Sequence, residues 1–255
     1  MKLLLRAVCA IIVLIGANMA RTPLYQLYPK AAENLWLISL SFFITPVLIF
    51  GFVWAITRRR FDWQFSHVAG VLGGTVIVAV PLLIGWCFLA PGTNEWKGEG
   101  SMAAAIFFLV VRSFILQGIP EELLFRGWLF SFSKERPLFT VVWTTLAFVA
   151  PHLSSSGGQD GWSERVLYLV LPLGMSILAG AVTVAMKSYW WAAGTHGGMH
   201  FLMGVFSAIA PKEIGPESWL ILGGLQALCG LAILAVWAKR GRGQAFFKEE
   251  DAVSP

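Results

Sequence analysis

The chain has 255 residues, of which 57% are hydrophobic and 13% are charged, and its formal net charge is +5. Soluble domains are usually about 45–50% apolar and about 25% charged, so this composition excludes an ordinary globular domain in water. The net charge does not indicate a nucleic-acid partner, because the sequence has no basic run with interleaved aromatic residues.

Eight apolar segments follow one another along the chain, each about long enough to span a bilayer. Charged or turn-rich stretches separate them, as at 58–62 and 154–158. They predict an all-α polytopic integral membrane protein, with about eight transmembrane helices around a buried cavity in a single domain, 1–255. The segments lie at 3–20, 35–56, 68–89, 103–130, 138–153, 166–186, 190–210 and 219–238.

Basic residues concentrate at alternate ends of these segments. A cytoplasmic N terminus puts five basic clusters on the cytoplasmic side, as the positive-inside rule favours, and an even number of helices returns the C terminus to that side. No small-residue cleavage site with a soluble domain follows the first segment, so we expect a retained helix. Short termini and compact loops favour a bacterial inner membrane. The clusters are Lys2 with Arg6; Arg58, Arg59 and Arg60; Lys134 with Arg136; Lys187; and Lys239, Arg240 and Arg242.

Ionisable side chains within apolar segments are the most informative feature of the sequence. A charge at the bilayer centre costs at least about 2.5–3.5 kcal/mol, so such residues need a reason. In the fourth segment, Glu122 and Arg126 are four residues apart and can pair on one helical face, whereas Glu121 points about 100° away. Pro120 has no N–H and is expected to kink the helix or begin a new turn.

Three histidines lie in later segments. His152 follows Pro151 in the fifth segment, where a lone histidine is more often a hydrogen-bonded core residue than a functional one. His196 and His200 are four residues apart in the seventh segment, which places both imidazoles on one face of a helix. The pair does not form a zincin motif, because no glutamate follows the first histidine.

These residues together offer a carboxylate base, an arginine–glutamate pair and three imidazoles. A carboxylate and an imidazole can share one water and make it nucleophilic, while other imidazoles can donate hydrogen bonds to a developing oxyanion. This set is equipped to hydrolyse an acyl bond. The sequence has no Gly-x-Ser-x-Gly motif and no glycine-rich phosphate loop.

The order of the motifs resembles a known family. Glu121-Glu122 with Arg126 is similar to its Glu-Glu-x-x-x-Arg motif, and Phe148 with His152 to its Phe-x-x-x-His motif. The stretch 191–200 resembles its last motif, His-x-x-x-Asn/Asp, and the residues before it. The family is the CAAX protease and bacteriocin-processing family, which includes the Ras-converting prenyl-protein endopeptidase. The resemblance covers about residues 100–205.

The resemblance implies an eight-helix membrane core around a catalytic cavity and a glutamate-dependent endopeptidase. Its substrate would be a peptide or protein, cleaved near the C terminus or in a membrane-proximal segment. Glu121 and His152 would activate the water, and Glu122 and Arg126 would support the site. The lipid bilayer and the substrate are the expected partners.

The resemblance also implies that His196 and His200 stabilise the oxyanion. The family usually has Asn or Asp at position 200, but a neutral imidazole can also donate a hydrogen bond. No metal or other cofactor is expected. The alternative is a zinc-dependent version of the same protease, because Glu121, His152, His196 and His200 would make a plausible zinc set.

Two further functions stay open at this point. A non-catalytic immunity or scaffold protein of the same family would not need the full set of polar motif residues, yet all are present apart from the change at His200. A small transporter can relay protons through intramembrane Glu and His, but no inverted repeat supports that function.

Overall fold

The computed structural model describes residues 1–58, 64–93, 101–154 and 159–240. Eight long helical segments form most of this part of the chain, and it also contains a short 3₁₀ turn, Pro29–Ala32, and an isolated bridge between Pro91 and Lys212. The segments are α1 (Lys2–Leu27), α2 (Leu35–Thr57), α3 (Phe65–Phe88), α4 (Met102–Phe132), α5 (Pro137–Ser154), α6 (Gly161–Met186), α7 (Tyr189–Ile209) and α8 (Pro216–Lys239).

The predicted all-α polytopic membrane fold is confirmed. Each of the eight predicted segments is helical, and seven of the helical segments in the described residues are long and apolar enough to cross a membrane. The exception is α7, which carries Thr195, two histidines and several glycines in its first half. Because nearly every residue from Tyr189 to Met199 is buried, the other helices rather than lipid surround this half of α7.

Several segments contain an internal break. A break lets one segment change direction or helix type without leaving the bundle. The pieces are Lys2–Met19 and Thr22–Leu27 in α1, Leu35–Ser41 and Ile44–Thr57 in α2, Pro137–Val149 and the 3₁₀ turn Ala150–Ser154 in α5, and Gly161–Tyr168 and Val170–Met186 in α6.

The N-terminal end of α1 and the C-terminal end of α4 lie at the same end of the bundle. The Arg6 guanidinium carbon is 3.5 Å from the centroid of the Phe132 ring. The predicted basic clusters at Lys2 and Lys134 therefore share one side, as the expected orientation requires. Arg59, Arg60 and Arg242 of the other clusters lie outside the described residues, as do parts of the predicted loops 58–62 and 154–158.

The outer faces of the bundle are apolar. On α3, Leu72, Val76 and Val80 are spaced by four residues and are 62%, 68% and 56% exposed. Such a stripe faces lipid in a membrane protein, because it has no protein neighbour to cover it. The chain is an integral membrane protein.

Glycines allow the inner helices to approach closely. A Cβ on Gly74 of α3 would collide with the carbonyl oxygen of Trp191 in α7, and one on Gly194 of α7 would lie 2.9 Å from the Cα of Gly74. Helices associate in membranes through such small-residue contacts, because burial of apolar surface gives little driving force there. The contact fixes α7 against α3, and the candidate site lies on another face of α7.

The adjacent glycines Gly223 and Gly224 of α8 provide a matched test of this packing. A Cβ on Gly223 would lie 2.6 Å from the carbonyl carbon of Val170, whereas one on Gly224 would meet nothing within 4 Å. We expect Gly223→Ala to destabilise the protein by about 1–3 kcal/mol through overpacking. Gly224→Ala is expected to be neutral or to stabilise slightly, because alanine favours the helix.

The measurement is the thermal unfolding midpoint of both variants in the same detergent. Equal midpoints for the two variants would show that the close contact between α6 and α8 does not limit stability.

Candidate active site

The backbone of α4 changes helix type around the two glutamates. Glu121 and Glu122 lie in one α-helical turn, Ile119–Glu122, between two π-helical stretches, Val111–Gly118 and Leu123–Leu129. Pro120 is at the start of this turn, as expected for a residue that cannot donate a backbone hydrogen bond. π-Helical turns are rare and occur frequently at functional sites.

Glu122 is fully buried and binds two partners. Arg126 Nη1 lies 3.1 Å from Glu122 Oε2 and donates to Oε1 at 3.2 Å, so the ion pair that the spacing predicted is present. His196 Nδ1 lies 2.9 Å from the same Oε1 atom. Because Arg126 is on α4 and His196 is on α7, this carboxylate joins the two helices.

Arg126 extends the network to two more helices. Its Nη2 donates to the carbonyl oxygen of Ser176 in α6 at 3.1 Å and also hydrogen-bonds to the Ser176 hydroxyl. That hydroxyl donates to Thr145 Oγ1 in α5 at 3.0 Å. All of these side chains are buried. The guanidinium therefore has hydrogen-bond acceptors on two sides, as a charge in an apolar interior requires.

Glu121 has a different environment. It is buried, with 8% of its surface exposed, and its carboxylate has no hydrogen-bond partner among the residues that the structure describes. It lies close enough to His196, Glu122 and Arg126 to interact with them electrostatically. Of the two adjacent carboxylates, Glu122 is thus occupied by protein partners, whereas Glu121 is left to bind water or a ligand.

The position of His152 follows from Pro151. α5 ends in the 3₁₀ turn Ala150–Ser154, in which residue 151 would donate to the carbonyl of residue 148. Proline has no N–H, and the His152 ring instead places Nδ1 3.0 Å from the Phe148 carbonyl oxygen. Since a carbonyl only accepts, Nδ1 carries the proton, and in the neutral form of the ring Nε2 is an acceptor.

The Phe148 ring lies between the groups of the site. Its centroid is 5.0 Å from that of His152 and 5.6 Å from that of His196, and the Arg126 guanidinium carbon lies 4.8 Å from it. Phe125 packs against it edge-on. The second motif therefore meets the first and third motifs through its phenylalanine ring.

His196 and His200 share one face of α7, with ring centroids 5.3 Å apart. They lie beside α4 because the helices touch at two glycines: a Cβ on Gly118 would be 2.8 Å from the Cα of Gly197. His200 also interacts electrostatically with Arg112 of α4. The structure thus brings together residues from α4, α5 and α7 that are far apart in the sequence.

Comparison with known proteins agrees with this geometry. The sequence model of the family described as Type II CAAX prenyl endopeptidase Rce1-like matches residues 103–202. The match includes the glutamate pair and all three histidines of the site. Over this part of the chain, which is less than half of its length, the protein is similar to the CAAX protease family. A search of curated protein sequences found no match.

The match to this family indicates a membrane protease. Where this family usually has Asn or Asp, the chain has His200, which is partly buried beside His196. The catalytic roles assigned to Glu121, His152, His196 and His200 stay predictions, as do the supporting roles of Glu122 and Arg126.

Sequence reasoning did not identify three polar residues near the site. Thr145 and Ser176 bind the Arg126 network, but a single hydroxyl in an apolar helix usually bonds its own backbone and gives no signal. Arg112 was detectable, because it is a charged residue inside the fourth apolar segment.

The donor set for the alternative zinc site does not converge. No three His, Cys, Asp or Glu side chains of the described residues come together in a group that could hold a metal ion. His196 Nδ1 is already used by Glu122, and His152 Nδ1 by a backbone carbonyl. The metal-free site stays a prediction.

The Arg126 network predicts a specific pattern of stabilities. Arg126→Met leaves the Glu122 charge buried without its cation, which typically costs about 3–5 kcal/mol, so we expect little folded protein. The double variant Glu122→Gln, Arg126→Met leaves no unpaired charge and is expected to recover most of the folded yield.

The readout is the monodisperse fraction in detergent together with the unfolding midpoint. Arg240→Met is the control, because Arg240 is exposed at the end of α8. A double variant as unstable as the single variant would contradict the assignment of the loss to an unpaired charge.

Proposed function

We propose that this protein is an intramembrane endopeptidase in which Glu121 and His152 activate a water molecule. The observation that carries the proposal is the unequal environment of the two glutamates. Glu122 is bound by Arg126 and His196, whereas Glu121 has no hydrogen-bond partner among the described residues. A general base needs a carboxylate oxygen that no protein donor occupies, and Glu121 is the member of the pair that offers one.

His152 supports the same assignment through its tautomer. The Nδ1 proton is donated to the Phe148 carbonyl, so in the neutral ring Nε2 is the nitrogen that would accept a hydrogen bond from water. In the proposed reaction the water oxygen attacks the scissile carbonyl carbon as Glu121 takes its proton. The proton then passes to the leaving amine as the C–N bond breaks, so atoms and charges balance.

His196 and His200 are the proposed oxyanion donors. His196 is oriented by Glu122 through Nδ1, and in the imidazolium form its Nε2–H is a second donor. His200 is on the same face of α7 and offers one N–H when neutral. Donors aimed at the position of the developing charge stabilise the transition state most strongly where water is excluded, as in this buried region.

The proposed substrate is a peptide or protein that reaches the site from the membrane and is cleaved near its C terminus or in a membrane-proximal segment. The name of the matched family motivates a first probe, a quenched fluorescent peptide ending in a prenylated Cys-aliphatic-aliphatic-X sequence. An unprenylated peptide of the same sequence tests whether the lipid is needed. The proposed location, a bacterial inner membrane with both termini cytoplasmic, is tested separately by labelling cysteines placed at the termini.

We expect Glu121→Gln to lower cleavage of this probe by about 10²–10⁴-fold, the usual contribution of a general base. His152→Ala is expected to cause a loss of similar size. Both variants should stay folded, because the hydrogen bonds of Arg126 to Glu122 and Ser176 remain in each. Glu217→Gln, at an exposed position in the first turn of α8, is the matched control and is expected to keep full activity.

Cleavage rates and unfolding midpoints are measured on the same purified samples. Cleavage that persists in both site variants would contradict the proposal. If the wild-type chain neither cleaves nor binds the probe, the non-catalytic immunity or scaffold protein becomes the better explanation.

The metal-free mechanism predicts that chelators leave activity unchanged. After dialysis against a strong zinc chelator, the protein is expected to retain its cleavage rate and to contain well under one metal ion per chain by elemental analysis. Stoichiometric zinc whose removal stops cleavage would replace the glutamate mechanism by the zinc-dependent alternative.

A further inference from the structure

Two polar side chains of α4 have no role in the proposed mechanism. Ser113 Oγ and Gln117 Oε1 are buried and have no hydrogen-bond partner among the residues that the structure describes. Most buried polar atoms in native proteins are paired, and an unpaired one needs an explanation. Gln117 as a whole is only partly buried, although its Oε1 atom is buried.

The helix register places both side chains beside the candidate site. Ser113, Gln117 and Glu121 are spaced by four residues, and residues four apart stay on about the same face of a helix. Neither side chain lies on the face that packs against α2, where Val111 and Leu116 contact Phe42. Ser113, Gln117 and Glu121 therefore form a polar line along one face of α4 that ends at the proposed base.

The packing of α7 shows which side this face is on. Gly118 lies against Gly197, and the Phe114 and Phe201 rings are 5.9 Å apart, so residue numbers rise along α4 as they fall along α7. The two helices are antiparallel. Gln117 and His196 each precede one of the contacting glycines, and in an antiparallel pair such residues lie on the same side.

A second observation agrees with this register. Arg112, the residue before Ser113, interacts electrostatically with His200. The N-terminal part of the polar line on α4 is therefore level with His200, and its C-terminal part is level with His196. The line and the two imidazoles border the same space.

We infer that Gln117, with Ser113 beside it, binds the backbone of the substrate next to the scissile bond. This inference rests on the proposed function. A carboxamide offers an N–H donor and a C=O acceptor together, which matches one peptide unit. A peptide that is cleaved within a bilayer must leave its helix, and its exposed backbone groups then need partners. Gln117 supplies such partners where water is scarce.

The spacing predicts which peptide unit is bound. Four residues of helix between Gln117 and Glu121 correspond to about 6 Å, and an extended chain advances about 3.3 Å per residue. Gln117 therefore contacts a peptide unit about two residues from the scissile bond. As it touches the substrate backbone, its contribution does not depend on the substrate side chains.

The test is a double-mutant cycle in which one change is a substitution in the protein and the other is a replacement in the substrate backbone. The probe is the prenylated peptide above, made as a series in which one amide at a time, other than the scissile amide, is replaced by an ester that has no N–H. Wild type and Gln117→Leu are assayed on each peptide. The control is Gln226→Leu, which removes a buried glutamine of α8 whose Nε2 donates to the Leu222 carbonyl oxygen at 3.1 Å.

We expect Gln117→Leu to lower kcat/KM on the parent peptide by about fivefold to tenfold, the effect of one neutral hydrogen bond. At one ester position, about two residues from the scissile bond, wild type should lose a similar factor and Gln117→Leu nothing further. The variant should also unfold at a higher temperature than wild type, because it removes an unpaired buried acceptor. Gln226→Leu should remain within about twofold of wild type on every peptide.

The inference is overturned if the loss of kcat/KM from Gln117→Leu and the loss from the ester are additive at every ester position. Unchanged cleavage by Gln117→Leu would also overturn it. A lower unfolding temperature with equal losses on all peptides would assign Gln117 a purely structural role. If Gln117→Leu and one ester position show non-additive losses while Glu121→Gln cleaves as fast as wild type, Glu121 is not the base, but the Gln117 subsite is supported. A wild-type protein that neither cleaves nor binds the peptide would overturn both.

Discussion

The buried charge of Glu122 is the constraint on which the rest of the site depends. In a bilayer this carboxylate needs a cation and hydrogen-bond donors, and it obtains them from Arg126 and from His196. Arg126 in turn needs acceptors, which Ser176 supplies. These requirements link α4, α6 and α7 into one arrangement, because moving any of the three helices would leave a charge or polar group unpaired.

This network also separates the roles of two adjacent glutamates. Two carboxylates one residue apart in a helix face different neighbours, and only one of them can lie against Arg126. Glu122 binds the arginine, which leaves Glu121 next to a cationic centre with its own oxygens unused by the residues that the structure describes. The same sequence dipeptide thus supplies a support and a candidate base.

The sequence predicted the parts of this arrangement that depend on local spacing. The all-α membrane fold follows from apolar length, and the pairing of Glu122 with Arg126 follows from their separation of four residues. Spacing within one segment carries no information about contacts between segments, so the bond from His196 to Glu122 and the central place of the Phe148 ring required the structure. The π-helical stretches beside the glutamates also left no recognisable pattern in the sequence.

The end of α5 shows how a local backbone defect shapes the chemistry. Pro151 leaves the Phe148 carbonyl without its backbone donor, and the His152 ring fills that vacancy. The hydrogen bond orients the ring and selects its tautomer at once. In this chain Pro151 therefore contributes to the position of the His152 ring, although the proline contacts neither water nor substrate in the proposed reaction.

The composition of α7 has a consequence for how the protein is made. The helix that carries His196 and His200 is not among the seven segments of the described chain that are apolar enough to cross a membrane. Its first half carries polar residues and glycines and is buried against other helices. A helix of this kind enters the bilayer poorly by itself and becomes stable once α3, α4 and α6 cover it. We therefore expect insertion of α7 to depend on its neighbouring helices, and the imidazoles to reach the glutamates only once those helices are in place.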